Sequence, residues 1–422
     1  MLRLSSRPPT EMTKIKAFCA YRPAEDKVHL VASRSYVTYS KEGLYQKLKG
    51  NPYSYIHIIN PEYDQEKRSE PFSDALFQKI RGRFESFLHE GIFEQDEQES
   101  FYLYRQEKET HVHSGIIALV PVQEYLDGNV LKHEDTIHRR EDRFRRYLGV
   151  TGINAEPVLL AHREDHELHA IMQEVQQNRP EYNFTTADRI NHKLWKISDP
   201  ETLESIARTY AGIEKLYIAD GHHRSASSAL LHEHYRSEGM ERPGVGYFMA
   251  MLMPQNELEI VDFNRVIHFE QKRSTEEVIQ QISEHFLVDE LHVDLYKPTR
   301  HGEIGMYLRG MWYRLEPLER EVNHDHPVKQ LDAYVLSENL LKPIFEIEDL
   351  KTDRRVRFVS GLEGPEALKE LVDSGKADVA FNLYPVSVEE LEAVADAGMS
   401  MPPKSTWIEP KLRSGLTIYD FL

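Results

Sequence analysis

One stretch constrains this chain more than any other. Residues 215–219, KLYIA, form a short apolar run that leads directly into Asp220-Gly221-His222-His223-Arg224. The next residues, SASSALLHEHYR (225–236), have a helix-forming composition. A strand that passes through a polar turn into a helix belongs to a mixed α/β architecture rather than to a bundle or a sandwich. Gly221 can take backbone angles closed to other residues and lets a ligand approach the main chain. The N–H groups of the first helical turn and the positive end of its dipole face the same point. His222 and His223 add imidazole donors and Arg224 a bidentate guanidinium, all suited to phosphate oxygens. Asp220 does not suit a bare anion site. Beside phosphates a carboxylate needs a divalent cation or a hydroxyl donor, so Asp220 is a candidate catalytic residue, acting either as a magnesium ligand or directly at the substrate. Ligands collect at such strand-to-helix switches, so the turn reads as a phosphate pocket rather than a surface loop.

The rest of the composition narrows the partners. With 52 Lys plus Arg against 70 Asp plus Glu, the net charge is −18, which repels phosphate backbones and anionic lipid. Neither a nucleic acid nor a membrane is expected as partner; a small anionic ligand in one local basic pocket is allowed. The single cysteine, Cys19, excludes an intrachain disulfide and any multi-cysteine metal site. No apolar run approaches the roughly 20 residues that span a bilayer, and the opening MLRLSSRPPTEM lacks a signal-type apolar region. A cytoplasmic protein is expected. The pattern GxxxxGK[ST] is missing, as is GxGxxG, which disfavours P-loop, protein-kinase and Rossmann sites.

Patterning divides the 422 residues into four segments. Residues 1–13 read as a polar leader, with Met12 a candidate start. An N-terminal α+β segment, 14–125, holds β-like runs KIKAFCAY, KVHLVAS and YSYIHII, a helix near 72–90 and strands FYLYR and SGIIALVPV. A catalytic core, 126–270, alternates helix and strand: a charged helix over 137–148 that Asp135 or Thr136 could cap, strands 156–162, 192–197 and 215–219, and a helix opened by Ser198-Asp199-Pro200-Glu201. GYFMAMLMP and LEIVDFNRVI close this segment as an expected β-hairpin. A C-terminal α/β domain, 271–422, starts with a Ser274…Glu277 capped helix to Phe286. It continues through a helix over 328–341 and ends in a strap, SMPPKSTWIEPKLRSGL. Apolar strands such as YFMAMLM would serve a homo-oligomer interface as well as a core.

IADGHHRSASSAL resembles the Asp-Gly-His-His-Arg segment of the ParB/sulfiredoxin-like superfamily, in particular its free-serine kinases. The whole chain from Lys14 resembles a bacterial and archaeal conserved family of formerly unknown function, sometimes labelled ParB-like. The stretches that carry this are NPYSYIHIINPE, VLKHEDTIHRREDR, NHKLW, LYIADGHHR and MPPKSTWIEPKLRSGL. The resemblance implies a ParB/sulfiredoxin-like core and a small-molecule kinase that passes a phosphoryl group from ATP or ADP to the hydroxyl of free L-serine, with magnesium. It also implies that Glu134, in the His133-Glu134 pair, is the general base, since a serine hydroxyl needs a positioned carboxylate to take its proton.

Other residues are weighed on chemistry alone. His133 and Thr136 flank Glu134 as candidate substrate or phosphate contacts. The basic island His138–Arg146 reads as a solvated helix face that could lend one arginine to phosphate. In the closing strap Lys404, Ser405, Thr406, Lys411 and Arg413 mix cations and hydroxyls between prolines, as a strap over the nucleotide site would. His192 and Trp195 read equally as packing and as pocket lining. A non-catalytic ParB-like nucleotide-binding or regulatory protein is the alternative, and a zinc hydrolase a third reading. The histidines show no HExxH spacing to favour zinc.

Overall fold

The computed structural model describes residues 14–34, 39–109, 111–240 and 242–422, so the expected polar leader, 1–13, lies outside the described residues. The chain divides into two compact units, one made of residues up to Leu131, Thr136–Leu258 and Pro410–Leu422, the other of Lys132–Asp135 and Glu259–Glu409. Among the described residues no helix is long and apolar enough to cross a membrane.

The first unit is built on one mixed sheet. Its strands are β1 (Phe101–Lys108), β2 (His111–Pro121), β3 (Val130–Leu131), β4 (Val158–His162), β5 (Tyr182–Thr185), β6 (Asn191–Ile197), β7 (Leu216–Asp220) and β8 (Tyr247–Pro254). They lie in the order β3-β7-β4-β8-β2-β1-β6-β5. The pairs β7–β3 and β8–β4 are parallel, and the other five are antiparallel. β2 occupies an interior place, and its residues 113–120 are buried without alternation, the pattern of a strand covered on both faces. Its longer helices are α1 (Asp74–His89), α2 (His138–Thr151), α3 (His166–Gln176), α4 (Pro200–Ala211) and α5 (His222–Ser237). Leu168 and Met172 of α3 and Ile206 and Tyr210 of α4 pack with Leu160, Leu216, Ile218 and Leu252 of the sheet in one core.

The second unit carries an antiparallel six-stranded sheet. Its elements are β9 (Glu259–Val261), β10 (Phe263–Ile267), α6 (Thr275–Ile282), β11 (Phe286–Leu291), β12 (Ile304–Leu308), β13 (Met311–Pro317), α7 (Asp332–Leu336), β14 (Val356–Ser360), α8 (Gly364–Asp373), β15 (Val379–Leu383), α9 (Val388–Asp396) and β16 (Trp407–Glu409). The order is β11-β13-β12-β15-β10-β14, with β9 and β16 paired separately.

Several local expectations give way to tertiary context. KVHLVAS and YSYIHII form the short helices Val28–Val31 and Ile56–Ile59, not strands, because brief buried apolar runs carry no period to separate the two. The expected hairpin is absent: β8 pairs with β2 and β4 in the first unit, while β10 pairs with β14 and β15 in the second. Neither Asp135 nor Thr136 caps α2, whose N-cap is Ile137 without a side-chain bond. Asp135 instead accepts from Ser400 Oγ at 2.6 Å, and Thr136 donates to Glu141. Asp199, not Ser198, caps α4 by accepting from Thr202 N at 2.9 Å, with Pro200 in the first turn as expected. The Ser274–Glu277 capping box forms, but α6 stops at Ile282 because Phe286 opens β11. The expected helix over 328–341 shortens to α7 and continues as a π-turn through Ser337–Leu341.

Candidate phosphate site

β7 ends at Asp220 and α5 begins at His222, as the patterning predicts. Gly221 between them has φ 101°, in the left-handed region that side chains rarely enter. A Cβ there would lie 2.9 Å from Arg224 Nε, so the guanidinium occupies the space a side chain would take. Gly221 O receives the N–H groups of Arg224 and Ser225 at 2.8 and 3.1 Å, which closes the first turn of α5.

The carboxylate of Asp220 stands between two cations. Oδ2 accepts from Arg224 Nη2 at 2.6 Å and Oδ1 from Lys411 Nζ at 3.0 Å. Burial by itself raises the Asp220 pKa, but Lys411 and then Arg224 outweigh it and hold the group below the usual carboxylate range. About 38% of the side chain stays exposed, so a ligand can reach it. Arg224 continues the network: Nη1 donates to Pro157 O at 2.7 Å and stands 2.7 Å from Glu156 Oε1, while Glu156 Oε2 accepts from Ser414 Oγ at 3.0 Å. The turn, the residues before β4 and the C-terminal strap are thus tied together by charge.

His223 sits beside this network. Its Nδ1 is buried with no hydrogen-bond partner among the described residues. Burial first, then Arg140 of α2, push its pKa below the ordinary histidine value, with Glu141 opposing, so the ring is neutral at pH 7 and can donate without charge. His222, Ser225, Ala226, Ser227 and Ser228 are buried along α5, and Ser227 Oγ donates to Glu141 O of α2 at 3.1 Å. The Ser/Ala composition is therefore a close-packing face as well as a helix former. Within the basic island, Arg143 lies 4.4 Å from the centroid of the Phe72 ring, Arg145 pairs with Asp142 and Arg146 with Asp74. Arg140 is the member whose charge reaches His223.

The strap is divided. Lys411 and Arg413 belong to the first unit, and Lys404, Ser405 and Thr406 to the second. Arg413 is only 4% exposed and donates to Asp188 and, at 3.2 Å, to Thr186 Oγ1. Burial raises the Asp188 pKa, but Thr186 and Arg413 reverse this and bring it down to about 2. Thr186 Oγ1 also meets His192 Nε2 at 3.1 Å, and Tyr104 OH meets His192 Nδ1 at 2.8 Å. Burial, then Arg413, push His192 down to about 3, so it is a neutral interior link. Trp195 is buried and donates Nε1–H to Asn178 O at 2.8 Å.

The remaining candidates, apart from Thr136, lie in the second unit. Glu134 is half-buried at a bend in the Lys132–Asp135 segment, where buried His133 accepts Met401 N through its carbonyl at 2.8 Å. Lys404, at φ 58°, holds its Nζ 5.3 Å from the centroid of the Phe263 ring; Ser405 Oγ donates to Pro402 O at 2.7 Å; Thr406 is buried. Thr136 is in the first unit, bonded to Glu141. Glu156 and Asp188 organise the site yet carry no motif; their roles arise from cations distant in sequence.

Magnesium does not fit as a resident ion. Both oxygens of Asp220 already face cations, and no group of three or more His, Cys, Asp or Glu among the described residues could hold a metal.

The model of the family described as "Protein of unknown function (DUF1015)" matches residues 15–334, and the chain belongs to that family. No curated protein matches it. Among solved structures it is similar to a free serine kinase in complex with AMP, at 14% identity and TM-score 0.37, over 72% of this chain and 91% of that one. It is similar also to a conserved hypothetical protein from Pyrococcus furiosus, at 14% identity and TM-score 0.36, over 74% and 96%. A third is SbnI with C-terminal truncation from Staphylococcus aureus, at 13% identity and TM-score 0.32, over 71% and 85%. Similarity at this level carries no weight for activity.

Proposed function

We propose that this DUF1015 family member is a small-molecule kinase that transfers a phosphoryl group from ATP or ADP to the hydroxyl of free L-serine, giving O-phosphoserine. The observation that carries the reading is the Gly221 turn. An accessible backbone corner at the start of a sixteen-residue helix has Arg224 folded beneath it, Lys411 beside it, and His223 and Arg140 on its flank. Such a corner gathers donors for a polyphosphate tail.

In this reading His222, His223, Arg140 and Lys411 receive the phosphate oxygens, and Asp220 with Glu156 holds Arg224 and Lys411 in register. Phosphoryl transfer depends chiefly on alignment and charge neutralisation, and removing one such donor costs about 3 kcal/mol of transition-state stabilisation. The acceptor oxygen forms a bond to the terminal phosphorus as the bridging P–O bond breaks. Glu134 takes the hydroxyl proton, a contribution worth about 10²–10⁴ in rate. Any magnesium arrives as part of the nucleotide substrate. Lys404, Ser405, Thr406 and His133 are candidate substrate or phosphate contacts; Arg413 and Thr136 are positioning residues.

Incubation with magnesium, ATP or ADP and a panel of amino acids, read by mass spectrometry, tests the proposal. Phosphoserine is the expected product, with Glu134→Gln slower by about 10²-fold or more and nucleotide binding retained. Unchanged turnover in Glu134→Gln removes that residue from the mechanism. Nucleotide binding with no product in any combination favours the non-catalytic reading, and no nucleotide binding overturns both.

A further inference from the structure

We infer that a small cavity in the second unit, lined by His301, Asp332, Tyr384, Glu390 and Ser405, binds the ammonium group of a free amino acid. Its identification as the acceptor site rests on the kinase reading; the binding itself does not.

The cavity holds about 10 Å³, room for one water-sized group. Asp332 is only 7% exposed. Its Oδ1 accepts from Gly302 N at 2.9 Å, whereas Oδ2 is buried without a hydrogen-bond partner among the described residues. The neighbouring His301 Nδ1 is 3.9 Å from Oδ2, beyond hydrogen-bond range. His301 Nε2 lies 3.5 Å from Glu390 Oε2, an oxygen that also accepts from Ser387 N at 2.9 Å, and the His301 ring packs edge-on against Tyr384. Ser405 spends its hydroxyl proton on Pro402 O. Acceptor oxygens therefore line the space, two of them on carboxylates.

A buried carboxylate oxygen without a donor is costly, and the economical occupant brings both donors and positive charge. An ammonium group brings three N–H donors in the volume of a water. A guanidinium is too large for this volume, and an anion would face Asp332 and Glu390. The walls beside the polar groups, Leu331 and Val386 among them, are apolar, and a space for one water-sized group cannot take an ion with its hydration shell.

The charge balance supplies a second readout. Burial raises the Asp332 pKa, Glu390 and Glu303 raise it further, and Gly302 N and Arg300 oppose, leaving it at about 7. Arg300 is shared with Glu303 at 3.2 Å and Glu316 at 2.9 Å, so it does not neutralise Asp332. An empty cavity thus holds a proton on Asp332 about half the time near neutrality, and an arriving ammonium expels it. Affinity should fall toward about tenfold per pH unit below 7.

Calorimetric titration of the full chain without nucleotide tests the inference, using L-serine, 3-hydroxypropionate (the same hydroxyl and carboxylate without the amine) and ammonium chloride. L-Serine should bind, with 3-hydroxypropionate weaker by about tenfold or more. Two buffers of different ionisation enthalpy should reveal proton release at pH 7 in the unaltered protein. Asp332→Asn should weaken serine by about tenfold and abolish that release. Equal binding of serine and 3-hydroxypropionate, ammonium chloride matching serine, or no ligand binding (a trapped water only) each overturns the inference. Absence of proton release does so as well, whether or not the variant folds. Serine binding through Asp332 with no phosphoserine formed would sink the kinase reading and leave the cavity; phosphoserine made by Asp332→Asn with unaltered serine KM would do the reverse.

Discussion

Asp220 in the first unit and Asp332 in the second are the same side chain under opposite rule. Desolvation pushes both toward the neutral form, yet Asp220 ends below the ordinary carboxylate range and Asp332 near 7. Asp220 is held by Lys411 and Arg224 at 3.0 and 2.6 Å; Asp332 has one backbone N–H and two further carboxylates in its field. Asp332 is also the deeper of the two, so burial and the lack of a counter-charge act together to keep it near 7, whereas two cations hold the more exposed Asp220 as an anion. The arginines repeat the contrast. Arg413 is matched to Asp188, while fully buried Arg265 meets the carbonyls of Phe263 and, at 3.2 Å, Lys404, and lies 5.5 Å from the centroid of the Phe358 ring; burial lowers its pKa to about 9.

The sharpest way to break the comparison is Asp332→Asn. The folded pKa of about 7 exceeds the unfolded value near 4, so the stability linked to this group is complete below about pH 4 and lost as pH rises through 7. At about 1.4 kcal/mol per unit, the variant should gain about 3.5 kcal/mol over the unaltered protein between pH 4 and pH 8. Urea denaturation at both values checks it; an equal difference at each pH would mean Asp332 is already ionised. Next in size is Arg224→Met, which strips Asp220 and Glu156 of their shared cation. A loss of about 3 kcal/mol is expected, with the Asp220 pKa rising in an NMR titration; an unmoved pKa would show that Lys411 alone suffices.

Gly221→Ala comes third. The positive φ and the 2.9 Å approach to Arg224 should together cost about 2 kcal/mol, read as a lower urea midpoint at unchanged slope. The smallest effect on stability belongs to Lys411→Met. That ion pair is about a third exposed on both sides and is worth about 0.5 kcal/mol. Its acid dependence runs opposite to Asp332: the contribution is present above the unfolded pKa and fades as pH falls through the depressed Asp220 value. Nucleotide affinity, in the kinase reading, should fall more than stability does.

What could be read directly was local. The strand Leu216–Asp220, the turn and α5 follow from an apolar run meeting Asp-Gly, because the glycine alone can take φ 101° there. Ser274 caps its helix from spacing alone, since a hydroxyl three residues before a free N–H is a short-range fact. The mixed α and β class followed from the same periodicities. Partnership was not legible. YFMAMLMP and LEIVDFNRVI look like two arms of one hairpin, but apolar strands do not encode their neighbours, and β8 and β10 entered different sheets. Glu156 meets Arg224, and Asp188 meets Arg413, only because the chain folds 68 and 225 residues back on itself.

The sequence by itself determined where the backbone turns and which chemical groups stand at the turn, because φ preference, capping and hydrophobic period act within a few residues. The tertiary structure alone decided which of those groups are charged, which are spent on a partner and which face a space. Those properties depend on distances and burial set by residues hundreds of positions away.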